Sequence, residues 1–300
     1  MKRLITIYLL LICEVLIAQK LPPLELTEEW KSQLKSQIPT NLKKNELIKK
    51  VLIISLATGY KHWIIPANET LITEIGKKNN FEVTIAKDIS VFELDSLSIY
   101  DAVILNNTCP QKEKRNLIYD VLIERTLDSI TSLNEAKRLE NKLINYVNAG
   151  GGLIVLHGGL TTFNKSEKFS RFVGASFDYH PPQQAYEASI VNRNHPITAQ
   201  LADSFEIYDE PYFLTGAYSD LNFQPLLSMN TMDIKNKREI PKCKEQYISW
   251  IKRYGKGKIF VSAPTHNAQS FDISGFTSFI ANGINYTLGD LLCEDSSIGQ

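Results

Sequence analysis

The stretch Gly150-Gly151-Gly152-Leu153-Ile154-Val155-Leu156-His157-Gly158 contains the pattern that decides the fold. Its four consecutive apolar residues, 153–156, predict a strand buried on both faces, which is typical of a parallel sheet. The glycines before the strand end a charged helical segment, because glycine readily takes the left-handed conformation at a helix C-terminus. His157 stands where the strand ends, and in open α/β sheets ligands bind outside the carboxyl ends of the strands.

The same alternation of apolar runs and helical patterns extends along the chain. Strands are predicted at 51–57, 81–86, 102–105, 185–191, 206–208 and 259–262. Helical patterns cover 66–79, 112–147 and 271–288. Strand and helix in repetition predict an α/β fold, a three-layer sandwich with a mostly parallel central sheet of the flavodoxin-like kind.

The composition is that of an ordinary globular protein. The chain has 300 residues, of which 43% are hydrophobic and 22% charged. Lys and Arg together number 33, as do Asp and Glu, so the formal net charge is zero. A nucleic-acid partner is therefore not expected, because such proteins usually carry a basic excess or stripe.

The N-terminus has the pattern of a secretory signal peptide. Lys2 and Arg3 precede an apolar run over 4–18 that is too short to span a bilayer. We predict a signal peptide over 1–18 and export to the periplasm or beyond the cell, with no membrane span after cleavage. The alternative is an uncleaved apolar tail. Residues 19–50 then form an N-terminal extension with one short helix, and 51–290 form a single α/β domain.

The cysteines do not indicate a metal site. Cys109, Cys243 and Cys293 remain after the predicted cleavage, at wide spacing and without a CxxC pair. This pattern excludes a zinc ribbon and a disulfide framework. Either one long-range disulfide or three buried thiols are expected.

Three of the five histidines follow predicted parallel strands. His62 comes shortly after the first strand, His157 ends the strand over 153–156, and His266 follows the strand over 259–262. An acidic pair, Asp209-Glu210, lies in a loop-like segment before a proline. Histidine with a carboxylate suits acid–base chemistry near neutral pH or a divalent metal ion. We therefore take His157, His62, His266 and Glu210 as candidate catalytic residues.

Other polar residues at the same edge are candidates for substrate binding. Asn106 and Asn107 end the third strand and could hydrogen-bond a substrate, while His180 and Tyr212 lie in loop-like segments near prolines. The candidate ligands of a divalent metal are His157, His180 and Glu210. No GxSxG, P-loop, HExxH or strand-following GxGxxG motif is present. A nucleotide cofactor and an elbow nucleophile are therefore excluded.

Seven segments, in this order and spacing, resemble the ThuA-like (trehalose utilisation) family, a branch of the class I glutamine amidotransferase-like fold. They are Thr58-Gly59-Tyr60-Lys61-His62, Tyr100-Asp101-Ala102-Val103-Ile104-Leu105-Asn106-Asn107, the stretch over 150–158, Phe177-Asp178-Tyr179-His180-Pro181, Asn194-His195-Pro196-Ile197, Tyr208-Asp209-Glu210-Pro211-Tyr212 and Tyr254-Gly255-Lys256-Gly257-Lys258-Ile259-Phe260. The family commonly has Asp after its last His, whereas this chain has Asn267.

The resemblance implies a sugar-related role rather than glutamine hydrolysis, since His157 stands where the amidotransferase cysteine would be. Members are associated with catabolism of trehalose and other disaccharides through 3-keto intermediates. We therefore expect an exported enzyme that acts on a keto-sugar, a small carbohydrate being its partner. Its class would be lyase, hydrolase or isomerase. The alternative is a non-catalytic carbohydrate-binding protein that retains the fold.

Overall fold

The computed structural model describes residues 21, 24–40, 47–94, 96–126, 128–241 and 243–299. The predicted signal peptide lies outside these residues. The helices are α1 (Glu28–Gln37), α2 (Ile65–Asn79), α3 (Ser90–Glu93), α4 (Leu117–Thr126), α5 (Ser129–Asn148), α6 (Glu167–Val173) and α7 (Phe276–Thr287). The strands are β1 (Lys49–Ile54), β2 (Phe81–Ala86), β3 (Ala102–Asn106), β4 (Gly152–Leu156), β5 (Ser176–Tyr179), β6 (Gln184–Ile190), β7 (Ser204–Asp209), β8 (Phe213–Thr215), β9 (Gln224–Asn230), β10 (Glu245–Tyr254) and β11 (Gly257–Ser262).

Nine strands form one sheet in the order β2-β1-β3-β4-β11-β10-β9-β6-β7. The five strands from β2 to β11 are mutually parallel, which we call the parallel half. The remaining strands, β10, β9, β6 and β7, pair antiparallel and form the antiparallel half. Strands β5 and β8 make a separate antiparallel pair. The predicted α/β fold class is confirmed.

The parallel half is buried because helices cover both of its faces. Every residue of β3 and β4 is buried, as the uninterrupted apolar runs predict. Helices α1, α2 and α7 pack together in one layer, and α3, α4, α5 and α6 belong to the other. Helix α1 belongs to the predicted extension over 19–50, and its Trp30 and Leu34 are buried in the common core.

The structure divides two of the predicted helices. The segment over 112–147 forms α4 and α5, because Asp128 caps a new helix by accepting a hydrogen bond from the Ile130 N–H. In the segment over 271–288 the α-helix α7 begins only after Gly275, because the left-handed φ of +84° at this residue is not helical. Strands β5, β8, β9 and β10 were not among the strands predicted from the sequence.

Cys109, Cys243 and Cys293 are free thiols, so neither expectation for the cysteines holds in full. Cys109 is buried, Cys243 is exposed and Cys293 is partly buried. Within the described part of the chain, the helices are all too short or too polar to cross a bilayer.

Candidate functional site

Three histidines meet at the carboxyl edge of the parallel half. His62 lies in the loop after β1, His157 directly after β4, and His266 after β11. Their exposed fractions are 3%, 0% and 0%. His157 has a φ of +43°, a left-handed conformation uncommon for a residue with a Cβ, at the sharp turn where β4 ends. Parallel strands that end at one edge therefore bring together residues 95 or more positions apart in the sequence, as between His62 and His157.

The three imidazole rings form a nearly equilateral triangle. The ring centroids lie 4.9 Å apart for His62 and His157, 4.8 Å for His62 and His266, and 5.0 Å for His157 and His266. The ring planes are nearly perpendicular, at 88°, 80° and 80° respectively. Each pair of rings therefore meets edge to face.

Glu210, directly after β7, brings a carboxylate from the antiparallel half to this triangle. Its Oε2 lies 3.2 Å from His157 Nε2 and 3.2 Å from His266 Nδ1. Burial by itself would raise the pKa of Glu210, but the imidazoles of His157 and His266 beside its carboxylate hold that pKa well below its usual range. Glu210 is therefore a carboxylate throughout the ordinary pH range.

The neighbours of His157 define which of its nitrogens faces the centre. Nδ1 lies 2.7 Å from the Ala263 carbonyl oxygen, which can only accept a hydrogen bond, so Nδ1 carries a proton. Nε2 faces Glu210, the Tyr212 hydroxyl at 2.9 Å and His266 Nδ1 at 3.1 Å. Burial raises the pKa of Tyr212, so its hydroxyl remains protonated and can donate to His157.

His62 is held by a thiol on its outer side. Its Nδ1 lies 3.7 Å from Cys109 Sγ, within hydrogen-bonding distance for sulfur. Burial and the nearby His157 and His266 lower the pKa of His62 to about 2, so the ring is neutral. Burial raises the pKa of Cys109 to about 11, so it remains a thiol.

Asp209 joins the end of β7 to the loop after β11. Its Oδ2 accepts hydrogen bonds from the N–H groups of Thr265 and His266, each at 3.1 Å. Its Oδ1 accepts from the Glu210 N–H at 2.7 Å. The side chain is fully buried, and burial raises its pKa. Asp209 thus positions His266 and Glu210 relative to each other without facing the pocket.

A pocket of about 830 Å³ opens beside these groups. Its lining includes His62, Glu210 and Tyr212, together with His180, whose side chain is 35% exposed. His180 Nδ1 lies 2.9 Å from the Pro181 carbonyl oxygen and Nε2 lies 3.5 Å from Glu210 Oε2. The volume is within the range of small-molecule sites. The structure thus brings His180 and Tyr212 to the pocket wall, as a substrate-binding role requires.

Asn106 and Asn107 do not reach the pocket, contrary to the expectation that they bind substrate. Both are fully buried. The Asn106 amide accepts from Asn68 at 2.8 Å and donates to Ser55 at 3.1 Å, and Asn107 Oδ1 accepts from the Gly158 N–H at 3.3 Å. These contacts connect β3 to α2 and to the turn after β4. Their polarity serves the fold, because buried amides need hydrogen-bond partners.

Two pocket residues were not predicted from the sequence. Gln183 Nε2 lies 2.7 Å from His266 Nε2, and Arg115 lies 5.8 Å from the centre of the Phe177 ring. Both stand in irregular segments without a motif, so no spacing pattern in the sequence identifies them. Only contact with the predicted His266 and with the pocket distinguishes them from other surface residues.

The group able to hold a metal ion differs from the predicted set of His157, His180 and Glu210. The ligand atoms of His62, His157, His266 and Glu210 all lie within 4.8 Å of one another. His180 stands outside this group, at 3.5 Å from the carboxylate and open to solvent on one side.

A family model described as ThuA, trehalose utilisation, matches residues 50–287. A ThuA-like protein from Bacteroides uniformis ATCC 8492 superposes with a TM-score of 0.60 at 17% identity, over 83% of this chain and 95% of its own. A ThuA-like protein from Parabacteroides merdae ATCC 43184 superposes with a TM-score of 0.57 at 17% identity, over 83% of this chain and 92% of its own. A cytoplasmic protein of Salmonella typhimurium LT2 superposes with a TM-score of 0.53 at 13% identity, over 79% of this chain and 99% of its own. No curated protein matches the chain.

Proposed function

Since the chain belongs to the ThuA family, we propose that it is an exported enzyme of carbohydrate catabolism that acts on a 3-keto sugar derived from a disaccharide. The observation that carries the proposal is the convergence of His62, His157 and His266 on the Glu210 carboxylate beside the pocket. Such clustering of titratable groups in a cleft is typical of an active site.

The carbonyl group of a 3-keto sugar defines the chemistry that the pocket would perform. A carbonyl at C3 acidifies the C–H bond at C2, and removal of that proton gives an enolate. The enolate can expel the glycosidic oxygen at C1 or take up a proton elsewhere, which leads to elimination or isomerisation. Both reactions need a base beside C2 and a positive or hydrogen-bonding group beside the C3 oxygen.

The different exposures of the histidines support the assignment of the base. His180 is the imidazole with substantial exposure to the pocket, whereas His62, His157 and His266 are buried. Imidazole is suited to proton transfer near neutral pH, and a general base must reach the proton that it removes. We therefore assign the proton transfer to His180. The low pKa of Glu210 makes it a weak base, and it stays a carboxylate beside the buried imidazoles.

Hydrogen exchange at C2 tests the proposal directly. The full-length chain is incubated with 3-keto-trehalose in deuterated buffer, with trehalose as the control sugar, and proton NMR follows the C2 signal. With the wild type we expect the C2 signal to disappear and the sugar to be turned over. The rate of exchange should fall at least about 10²-fold in His180→Ala, and no exchange should be detectable in His157→Ala. Tyr146→Phe is the matched control, since Tyr146 is largely buried at the opposite edge of the sheet and binds the Tyr100 carbonyl.

Each result has a defined meaning. Broadening of the sugar's NMR signals without exchange or turnover would indicate a carbohydrate-binding protein rather than an enzyme. Neither binding nor exchange would exclude the keto-sugar substrate class. Equal rates for wild type and His157→Ala would remove the buried cluster from the mechanism.

A further inference from the structure

Three of the side chains at the centre of the site, His157, His266 and Glu210, have the spacing of ligands around a single ion. His157 Nε2 and His266 Nδ1 lie 3.1 Å apart, and each lies 3.2 Å from Glu210 Oε2. With metal–ligand distances of about 2.1 Å, neighbouring ligands at octahedral to tetrahedral angles are roughly 2.9–3.4 Å apart. An ion can therefore lie at normal bonding distance from all three atoms, just outside the plane they define.

The distances between the imidazole ring centroids also agree with binding to a single ion. Imidazoles bound to one ion at these angles have ring centroids roughly 4.5–5.2 Å apart. The observed separations are 4.8, 4.9 and 5.0 Å. We propose that His62, His157, His266 and Glu210 bind one divalent transition-metal ion.

Each imidazole also has a partner on its outer nitrogen, which is the usual arrangement for metal-binding histidines. His157 Nδ1 donates to the Ala263 carbonyl, and His62 Nδ1 contacts Cys109 Sγ. His266 Nε2 contacts the Gln183 amide at 2.7 Å. For His266 Nδ1 to bind an ion, Nε2 must carry the proton, and a half-turn of the Gln183 amide places its oxygen there as the acceptor.

The donor set defines the class of ion. Three imidazole nitrogens and one carboxylate oxygen suit Zn²⁺, Mn²⁺, Fe²⁺, Co²⁺ or Ni²⁺, whereas Mg²⁺ and Ca²⁺ take oxygen ligands. Because His62 and Glu210 line the pocket, the ion would have an open side for water or a substrate oxygen. An open position is typical of catalytic rather than structural sites. The inference does not rest on the keto-sugar proposal, since it concerns ion binding alone.

Metal content and cobalt spectroscopy test the site without any substrate. The full-length chain is stripped with a chelator, titrated with Zn²⁺, Mn²⁺ or Co²⁺ by calorimetry, and analysed for bound metal. We expect about one ion per chain, a rise in Tm on binding, and visible absorption from the Co²⁺ form. Mg²⁺ at the same concentration should leave Tm unchanged.

Variants then identify the ligands. His266→Ala should lower the affinity for the metal ion at least about 100-fold, and Gln183→Leu should lower it about 10–100-fold. His180→Ala is the matched control, because His180 stands outside the ligand group, and it should retain about one ion per chain. Absence of stoichiometric binding by the wild type for every ion would overturn the inference. Equal binding by His266→Ala and the wild type would also overturn it, since it would place the ion elsewhere.

Discussion

The parallel and antiparallel halves of the sheet contribute different parts of the site. The parallel half supplies the three buried imidazoles, each in a loop that follows one of its strands. The antiparallel half supplies Glu210 at the end of β7, and the segment between β5 and β6 supplies His180 and Gln183. The three buried imidazoles thus come from loops of the parallel half, the carboxylate comes from the antiparallel half, and both parts of the chain line the pocket.

This difference shows how one general fold accommodates a particular chemistry. The parallel strands place polar residues at one edge whatever their identity, because all their carboxyl ends point the same way. Only the antiparallel half determines whether a carboxylate faces them. The largest effects of substitution are therefore expected where the two halves meet, and smaller effects within either half.

Among substitutions in the antiparallel half, Glu210→Gln should have the largest effect, since it removes the charge that this half contributes and keeps the shape of the side chain. We expect turnover of the keto-sugar to fall about 10²–10³-fold, because a preorganised charge at the reacting centre is worth several kcal/mol. Steady-state kinetics by NMR measures the effect. The control is Glu206→Gln, an exposed position on the same strand β7, which should leave the rate unchanged.

An equal loss in Glu206→Gln would indicate that β7 as a whole, and not its terminal carboxylate, supports the reaction. A normal rate in Glu210→Gln would separate the antiparallel half from the chemistry altogether.

Asp209→Asn should have an intermediate effect, on stability more than on chemistry. The two carboxylate oxygens of Asp209 accept hydrogen bonds from three N–H groups. Asparagine replaces one of these oxygens with an NH₂ group, which cannot accept. Leaving a buried donor unsatisfied costs about 1–3 kcal/mol, so calorimetry should show Tm lowered by roughly 2–8 °C. Asp203→Asn, an exposed acid paired with Arg193, is the control and should shift Tm by less than about 1 °C. A Tm unchanged in Asp209→Asn would mean that this junction does not hold the halves together.

Lys252→Met should have the smallest effect and the opposite sign. Lys252 is buried on β10, its ammonium donates to the Asn222 carbonyl, and burial lowers its pKa to about 8. In the unfolded chain its pKa is 10.5, so between pH 8 and 10.5 the unfolded state binds more protons. The contribution of Lys252 to stability should therefore become more favourable as pH rises across this window, and below pH 8 the full cost of burying its charge is present.

For Lys252→Met we expect a Tm about 2–4 °C above that of the wild type at pH 7, and a smaller difference at pH 9.5. Thermal unfolding at the two pH values measures this. Lys256→Met, in the exposed turn before β11, should show no such pH dependence. A Tm lowered equally at both pH values would show that the Asn222 contact outweighs the buried charge.

Much of the parallel half is predictable from its sequence, and so is part of the site. Runs such as 102–105 and 153–156 are apolar without interruption, and strands of this kind are buried on both faces. His157 follows such a run directly and His266 follows another after a few residues, which places both at the ligand-binding edge. Asn106 and Asn107 follow the same rule and also lie at that edge, but their amides bond within the fold. Residue type and strand position do not show whether a polar side chain faces a pocket or bonds within the fold.

The sequence by itself determined the fold class, the family resemblance and the edge at which three histidines meet, because periodicity and strand ends are local properties of the chain. The tertiary structure alone decided that His62 rather than His180 completes the close group, and that Gln183 contacts His266. It also decided that Glu210, 53 residues after His157, reaches the buried nitrogens. These contacts join irregular segments to distant strands, and packing of the two halves, not any local pattern, determines distances of a few ångströms between them.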